Sequence, residues 1–136
     1  MPTESFRILE SAMESWNRGN LEETLVNIRE DVVWMTARSM PDIDQVYEGH
    51  EGLRRFFKDF SEPWDEISTE LEEVIEDRDE QIVVLVRFHA RGREGIELDV
   101  RFIQVYRFDE AHQLREFVGF TEDQREEALR EAGIDG

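Results

Sequence analysis

Residues 99–110 read DVRFIQVYRFDE. Taken in alternation, one face is Val100, Phe102, Gln104, Tyr106 and Phe108, and the other is Asp99, Arg101, Ile103, Val105 and Arg107. A period of two marks a β-strand, because successive side chains point to opposite faces of a sheet. The first face is large and apolar except for one amide, Gln104, and one phenol, Tyr106. An amide buried without partners costs roughly 1–3 kcal/mol. A glutamine in the middle of such a face therefore bonds a bulge or buried water, or orients a ligand in an apolar pocket. A concave-face position favours the ligand.

The preceding run, QIVVLVRFHA at 81–90, alternates Val84, Val86, Phe88 against Leu85, Arg87, His89. A hairpin that sets Phe88 near Val100 collects the bulky apolar residues on one side. Arg87, His89, Asp99 and Arg101 then share the outer face. A slip of one residue would invert both faces.

Working outward, DVVWMTA at 31–37 is rich in β-formers, and further strands are expected at about 66–76, 81–91, 95–108 and 113–121. Strands of this length exceed the usual five or six residues, so they bend, and a bent sheet wraps something. Phe6, Leu9, Met13 and Trp16 recur at spacings of three and four, the stripe of an amphipathic helix that Gly19 stops. Asn20 and Glu23 are placed as a capping box for a second helix with Leu21, Leu25 and Ile28 buried. Leu53, Phe56, Phe57 and Phe60 form a third helix ended by Pro63, and residues 122–133 close the chain as a short helix. The expected fold is α+β: a cone-shaped half-barrel of strongly bent antiparallel sheet around three helices, plus a short C-terminal helix, in one domain spanning 1–136.

The chain of 136 residues has no cysteine, which excludes disulfides, thiolate metal sites and cysteine nucleophiles. The opening MPTESFRILE has neither the basic nor the apolar region of a signal peptide, and a cytoplasmic protein is expected. The net charge of −18 argues against nucleic acid or an anionic membrane as partner, since both need a cationic face. Lys58 is the only lysine among sixteen basic residues, a skew that fits a GC-rich genome or a high-salt cytoplasm.

In this order and spacing, ESWNRGNLEETL, REDVVW, YEGHEGLRRFF, RGREG, VYRFDEAHQLREF and EEALREAGI resemble the SnoaL-like branch of the nuclear transport factor 2-like superfamily. The resemblance spans essentially the whole chain. It implies a cone whose wide end opens into an apolar pocket and a homodimer through the outer sheet face. The superfamily includes ketosteroid isomerases, polyketide cyclases, dehydratases, epoxide hydrolases and non-catalytic adaptors. In the isomerases an oxyanion-binding acid would fall on Gln104, the general base near Thr36 and a tyrosine near Ala12; none of the three keeps its catalytic residue. The acid-base aspartate of SnoaL-type cyclases would fall loosely among Thr121, Glu122 and Asp123.

The expected pocket wall is Trp16, Trp34, Thr36, Phe88, Phe102, Gln104, Tyr106, Phe117 and Thr121, with Tyr47 at its rim. Asp99 and His89 would act as a water-activating set only if they faced inward; outward, they belong to an ion-pair ladder. Asp42 and Asp44, on the loop RSMPDIDQVY at 38–47, are the remaining loop carboxylates. His50, His89 and His112 have no ligand spacing, so no metal site is expected, and no cofactor. Two readings stay open: a cofactor-free acid–base enzyme (isomerase, cyclase, dehydratase or hydrolase type) on a small cyclic or polyketide-like substrate, or a non-catalytic binder of a small apolar or weakly polar ligand.

Overall fold

The computed structural model describes residues 2–36, 46–92 and 94–134. Helix α1 (Glu4–Asn17) starts where Thr3 caps it, its hydroxyl accepting from the Phe6 amide at 3.1 Å. Gly19, at φ 75°, turns the chain out of it. Asn20 caps the next helix as expected, accepting from the Glu23 amide at 3.1 Å, but the capping box is not completed: Glu23 accepts from the Asn20 side-chain amide at 2.9 Å, while the Asn20 backbone N–H bonds the Ser15 carbonyl at 2.9 Å.

The helix that follows is shorter than its pattern. Helix α2 (Leu21–Thr24) is one turn, then a 3-10 turn (Leu25–Asn27), and Ile28 already opens β1 (Ile28–Met35). Ile28 pairs with Leu114, so sheet pairing, with β-branched Val26 and Ile28 poor at extending a helix, captures the chain early. Strand β2 (Val46–Glu48), three residues that periodicity does not reveal, leads into α3 (Gly49–Ser61). The junction requires glycine: Gly49 sits at φ 72°, and a Cβ there would lie 2.9 Å from the Glu30 carbonyl oxygen.

The remaining strands are β3 (Trp64–Arg78), β4 (Gln81–Gly92), β5 (Glu97–Phe108) and β6 (Leu114–Thr121), ending in a 3-10 turn and α4 (Arg125–Glu131). Together they form an open sheet in the order β2-β1-β6-β5-β4-β3. All neighbours are antiparallel except β1 and β6, which run parallel. Phe88 pairs with Val100 and His89 with Asp99, the register that the alternating faces require. Three register shifts along β3 supply local bends. Asn17 donates to the Thr69 carbonyl at 3.0 Å and accepts from its amide at 2.9 Å, so one side chain stands in for a strand partner and ties α1 to β3.

Each face of the sheet has its own core. The concave side packs Ile82, Val84, Val86, Tyr106 and Phe117 under Phe6 and Leu9 of α1 and Leu53 of α3, with Phe56, Phe60 and Phe88 beside them. The convex side packs Val83, Ile103, Val105 and Val118 under Ala128 and Ala132, so α4 covers the outside of the sheet. Arg107 donates to the Glu131 carbonyl at 2.7 Å and to Gln81 Oε1 at 3.1 Å, and it pairs with Glu116. Gln81 in turn donates to the Ala132 carbonyl at 2.7 Å. A cation at the helix's C-terminal end satisfies carbonyls that the helix leaves open.

Candidate functional site: an aromatic cavity in the cone

Between the concave face and helices α1 and α3 lies a cavity of about 120 Å³. Strand β5 contributes Phe102, Gln104, Tyr106 and Phe108, the face singled out by its alternation. Val86 and Phe88 come from β4, Trp34 from β1, Phe117 and Gly119 from β6, and Trp16 from α1. Phe56 and Phe60 close it from α3. The walls support one another: Trp34 stacks on Phe117 with centroids 3.9 Å apart, Phe56 stacks on Phe60 at 5.3 Å, and Trp16 meets Phe57 edge-on at 5.1 Å.

Gln104 has a protein partner. The Tyr106 hydroxyl donates to Gln104 Oε1 at 2.6 Å. The amide carbonyl is thereby engaged, while its NH2 and the second lone pair of the phenol remain to meet a ligand. Burial pushes the Tyr106 phenol far above its ordinary range, so it stays protonated and keeps donating. Trp34 adds another polar group: its indole Nε1 is buried and has no acceptor among the described residues. Among the described residues the cavity wall carries no Asp, Glu, His, Lys or Arg.

Eight of the expected wall residues, Trp16, Trp34, Thr36, Phe88, Phe102, Gln104, Tyr106 and Phe117, converge on the cavity. Ala12 lines it as well, so the three positions at which the isomerase resemblance would place catalytic groups meet in one space as Ala12, Thr36 and Gln104. Tyr47 does not reach the cavity: it is wholly buried behind Phe56, its hydroxyl donating to Asp59 at 3.2 Å and the Arg55 guanidinium 4.8 Å from its ring centre. Thr121 is drawn away by capping, its hydroxyl donating to Asp123 and its amide to Gln124 Oε1 at 3.1 Å. Leu9 and Met13 of α1, read from sequence as plain core stripe, also line the space. Thr24, Asn27 and Thr69 do so too, from elements that carried no pocket signal.

The catalytic candidates are elsewhere. Asp99 and His89 pair across the hairpin on the convex side, where Asp99 takes a bidentate bond from Arg87 at 2.8 and 2.5 Å. Arg87 holds the Asp99 carboxyl below its usual range. Alternation alone excludes both residues from the concave face, so neither activates water in the cavity. Asp42 and Asp44 lie outside the described residues. His50 bonds the Ile28 carbonyl at 2.7 Å, and His112 meets Ser5 at 3.2 Å, both away from the cavity. The described residues contain no cluster of three or more His, Cys, Asp or Glu suited to a metal ion.

A SnoaL-like domain profile matches residues 9–117. The chain belongs to the SnoaL-like family. No curated protein matches its sequence. Among solved structures, an NTF2-like protein of unknown function from Burkholderia pseudomallei superposes with a TM-score of 0.79 at 22% identity, covering 94% of this chain and 96% of that one. TerC, co-crystallized with polyporic acid, gives 0.79 at 14% identity over 95% and 99% of the two chains. A Mycobacterium tuberculosis protein in complex with estradiol-17beta-hemisuccinate gives 0.73 at 18% over 85% and 91%. These likenesses establish the fold of this SnoaL-like chain. Among the described residues, no helix is long and apolar enough to cross a membrane.

Proposed function

We propose that this SnoaL-like protein binds a small, largely apolar molecule in the cone and holds one polar group of it on Gln104. The observation that carries this reading is the Gln104–Tyr106 pair set in a largely apolar, uncharged wall. An amide partnered on one side only, in a space that excludes charge, orients a ligand without reacting with it. The same fold holds cyclic molecules in two of the neighbours named above. The acid–base enzyme reading needs an inward carboxylate or histidine, and Asp99 and His89 face away. The convex face, crossed by the Arg87–Asp99 and Arg101–Glu72 pairs and partly roofed by α4, is the surface proposed for self-association; sedimentation equilibrium reads it directly.

The functional test is a thermal-shift screen of neutral one- and two-ring compounds. Hits should stabilise the parent protein, lose most of that stabilisation in Gln104→Leu, and keep it in Asp99→Asn. Hits indifferent to Gln104→Leu would make the glutamine structural. Turnover of a hit, abolished by Asp99→Asn, would restore the enzyme.

A further inference from the structure

Two polar clusters away from the cavity are accounted for by structure. Ser5, His112 and Asp79 form a cluster resembling a catalytic triad, but Ser5 is fully buried and donates to the Asp79 backbone carbonyl at 2.7 Å, which leaves no nucleophile to present. The Arg107–Gln81 network holds α4 in place and is accounted for by that. Trp34 Nε1 is different: a buried donor with no acceptor among the described residues, on a residue that lines the cavity.

A buried N–H with no partner is rare, because it forfeits its hydrogen bond to water without replacement. The Trp34 ring stacks on Phe117 and tilts against Phe56 at 5.6 Å, ring contacts that do not engage its N–H. Beyond its larger ring, the indole differs from phenyl in supplying one donor, and no described residue accepts from it. Gln104 likewise has its NH2 to offer once its carbonyl is engaged by Tyr106. Two of the groups left over in the cavity therefore donate, and neither carries charge.

We propose that Trp34 is a ligand-reading residue whose indole N–H donates to an oxygen of the bound molecule, so that the pocket selects uncharged carbonyl-bearing ring compounds. This deepens the pocket reading above and rests on it. Two kinds of relative are rejected for separate reasons. A hydrocarbon of the same shape leaves the Trp34 donor unsatisfied. A carboxylate enters a space where the described wall offers no cation to compensate its lost hydration.

The test uses three one-ring probes that suit a cavity of this size: acetophenone, α-methylstyrene, in which CH2 replaces the carbonyl oxygen, and benzoate. The protein's three tryptophans give three indole N–H signals in a ¹⁵N–¹H correlation spectrum, and Trp34→Phe identifies the one that belongs to Trp34. Should that variant not fold, Trp16→Phe and Trp64→Phe identify it by elimination. Acetophenone should move the Trp34 signal downfield, and α-methylstyrene should not. Trp34→Phe should weaken acetophenone roughly three- to tenfold more than it weakens α-methylstyrene, the two sharing whatever packing the smaller ring gives up. Benzoate should bind at least about tenfold more weakly than acetophenone. A Trp34 signal already downfield in the free protein and unmoved by acetophenone would overturn the assignment, as would equal loss of both neutral probes in Trp34→Phe. If neither neutral probe binds, the pocket reading itself falls.

Discussion

Gln104 and Tyr106 sit two residues apart on one strand face, and the phenol donates to the amide oxygen. Removing one partner strands the other. Gln104→Leu leaves the Tyr106 hydroxyl buried without an acceptor and should cost about 1–3 kcal/mol in urea unfolding. Adding Tyr106→Phe should recover most of that loss, since both polar groups are then gone; a double variant no more stable than the single one would show that the bond is not what holds them. The phenol also makes the protein sensitive to alkali. Its folded-state affinity for the proton is raised by burial, so the unfolded chain loses the proton first, near the ordinary tyrosine range of about pH 10. Stability should therefore decline above about pH 10, and Tyr106→Phe should flatten that decline in pH-dependent melting curves. The odd glutamine and its facing were legible in the alternation of 99–108. Its partner was not, because a hydrogen bond between i and i+2 depends on rotamers that the surrounding rings impose. Tyr47 failed for the related reason that an amphipathic residue beside a loop looks like a rim, whereas Phe56 and Asp59 of α3 draw it inside.

At the scale of elements, α4 depends on a few polar anchors rather than on a broad apolar stripe. Arg107, with its side chain 17% exposed, joins β5 to the end of that helix through the Glu131 carbonyl, while Gln81 holds the Ala132 carbonyl. Arg107→Leu should release this corner at a cost of about 2 kcal/mol, speeding amide exchange in residues 125–134 roughly thirtyfold. The β4–β5 amides should be unaffected. If exchange rises equally across the sheet, α4 is part of the global folding unit and not a separable latch. The long strands could be read from sequence because period two fixes the face of every residue at once, and Phe88 opposite Val100 is the register that gathers both apolar faces. The junction from α2 to β1 could not. Leu21, Leu25 and Ile28 satisfy a helical spacing, and the competing claim on Ile28 comes from Leu114, far along the chain. Strand β2 is defined wholly by its partners Val33, Trp34 and Met35.

For the molecule as a whole, the dominant quantity is charge. Thirty-four acidic residues face sixteen basic ones, and many of the arginines are already held in local pairs such as Arg54–Glu22 and Arg101–Glu72. What remains is a surplus of carboxylates whose mutual repulsion opposes compactness. Salt acts on both terms: it weakens the pairs and it screens the repulsion. The pairs are short and exposed, and such pairs contribute little to begin with. The repulsion is summed over many separations comparable to the screening length, which contracts from about 30 Å at 0.01 M to about 8 Å at 0.15 M. Screening should therefore win, and the melting temperature should rise with added NaCl. The shape of the rise identifies its origin. Screening of repulsion saturates by a few tenths molar, because the Debye length is by then shorter than most charge separations. A gain that continues linearly toward molar KCl would instead mark a surface whose carboxylates work in concentrated salt, and would decide the arginine skew in favour of a saline interior over codon usage. A melting temperature that falls with the first additions of salt would mean that the ion-pair rows of the convex face stabilise this fold more than their exposure allows.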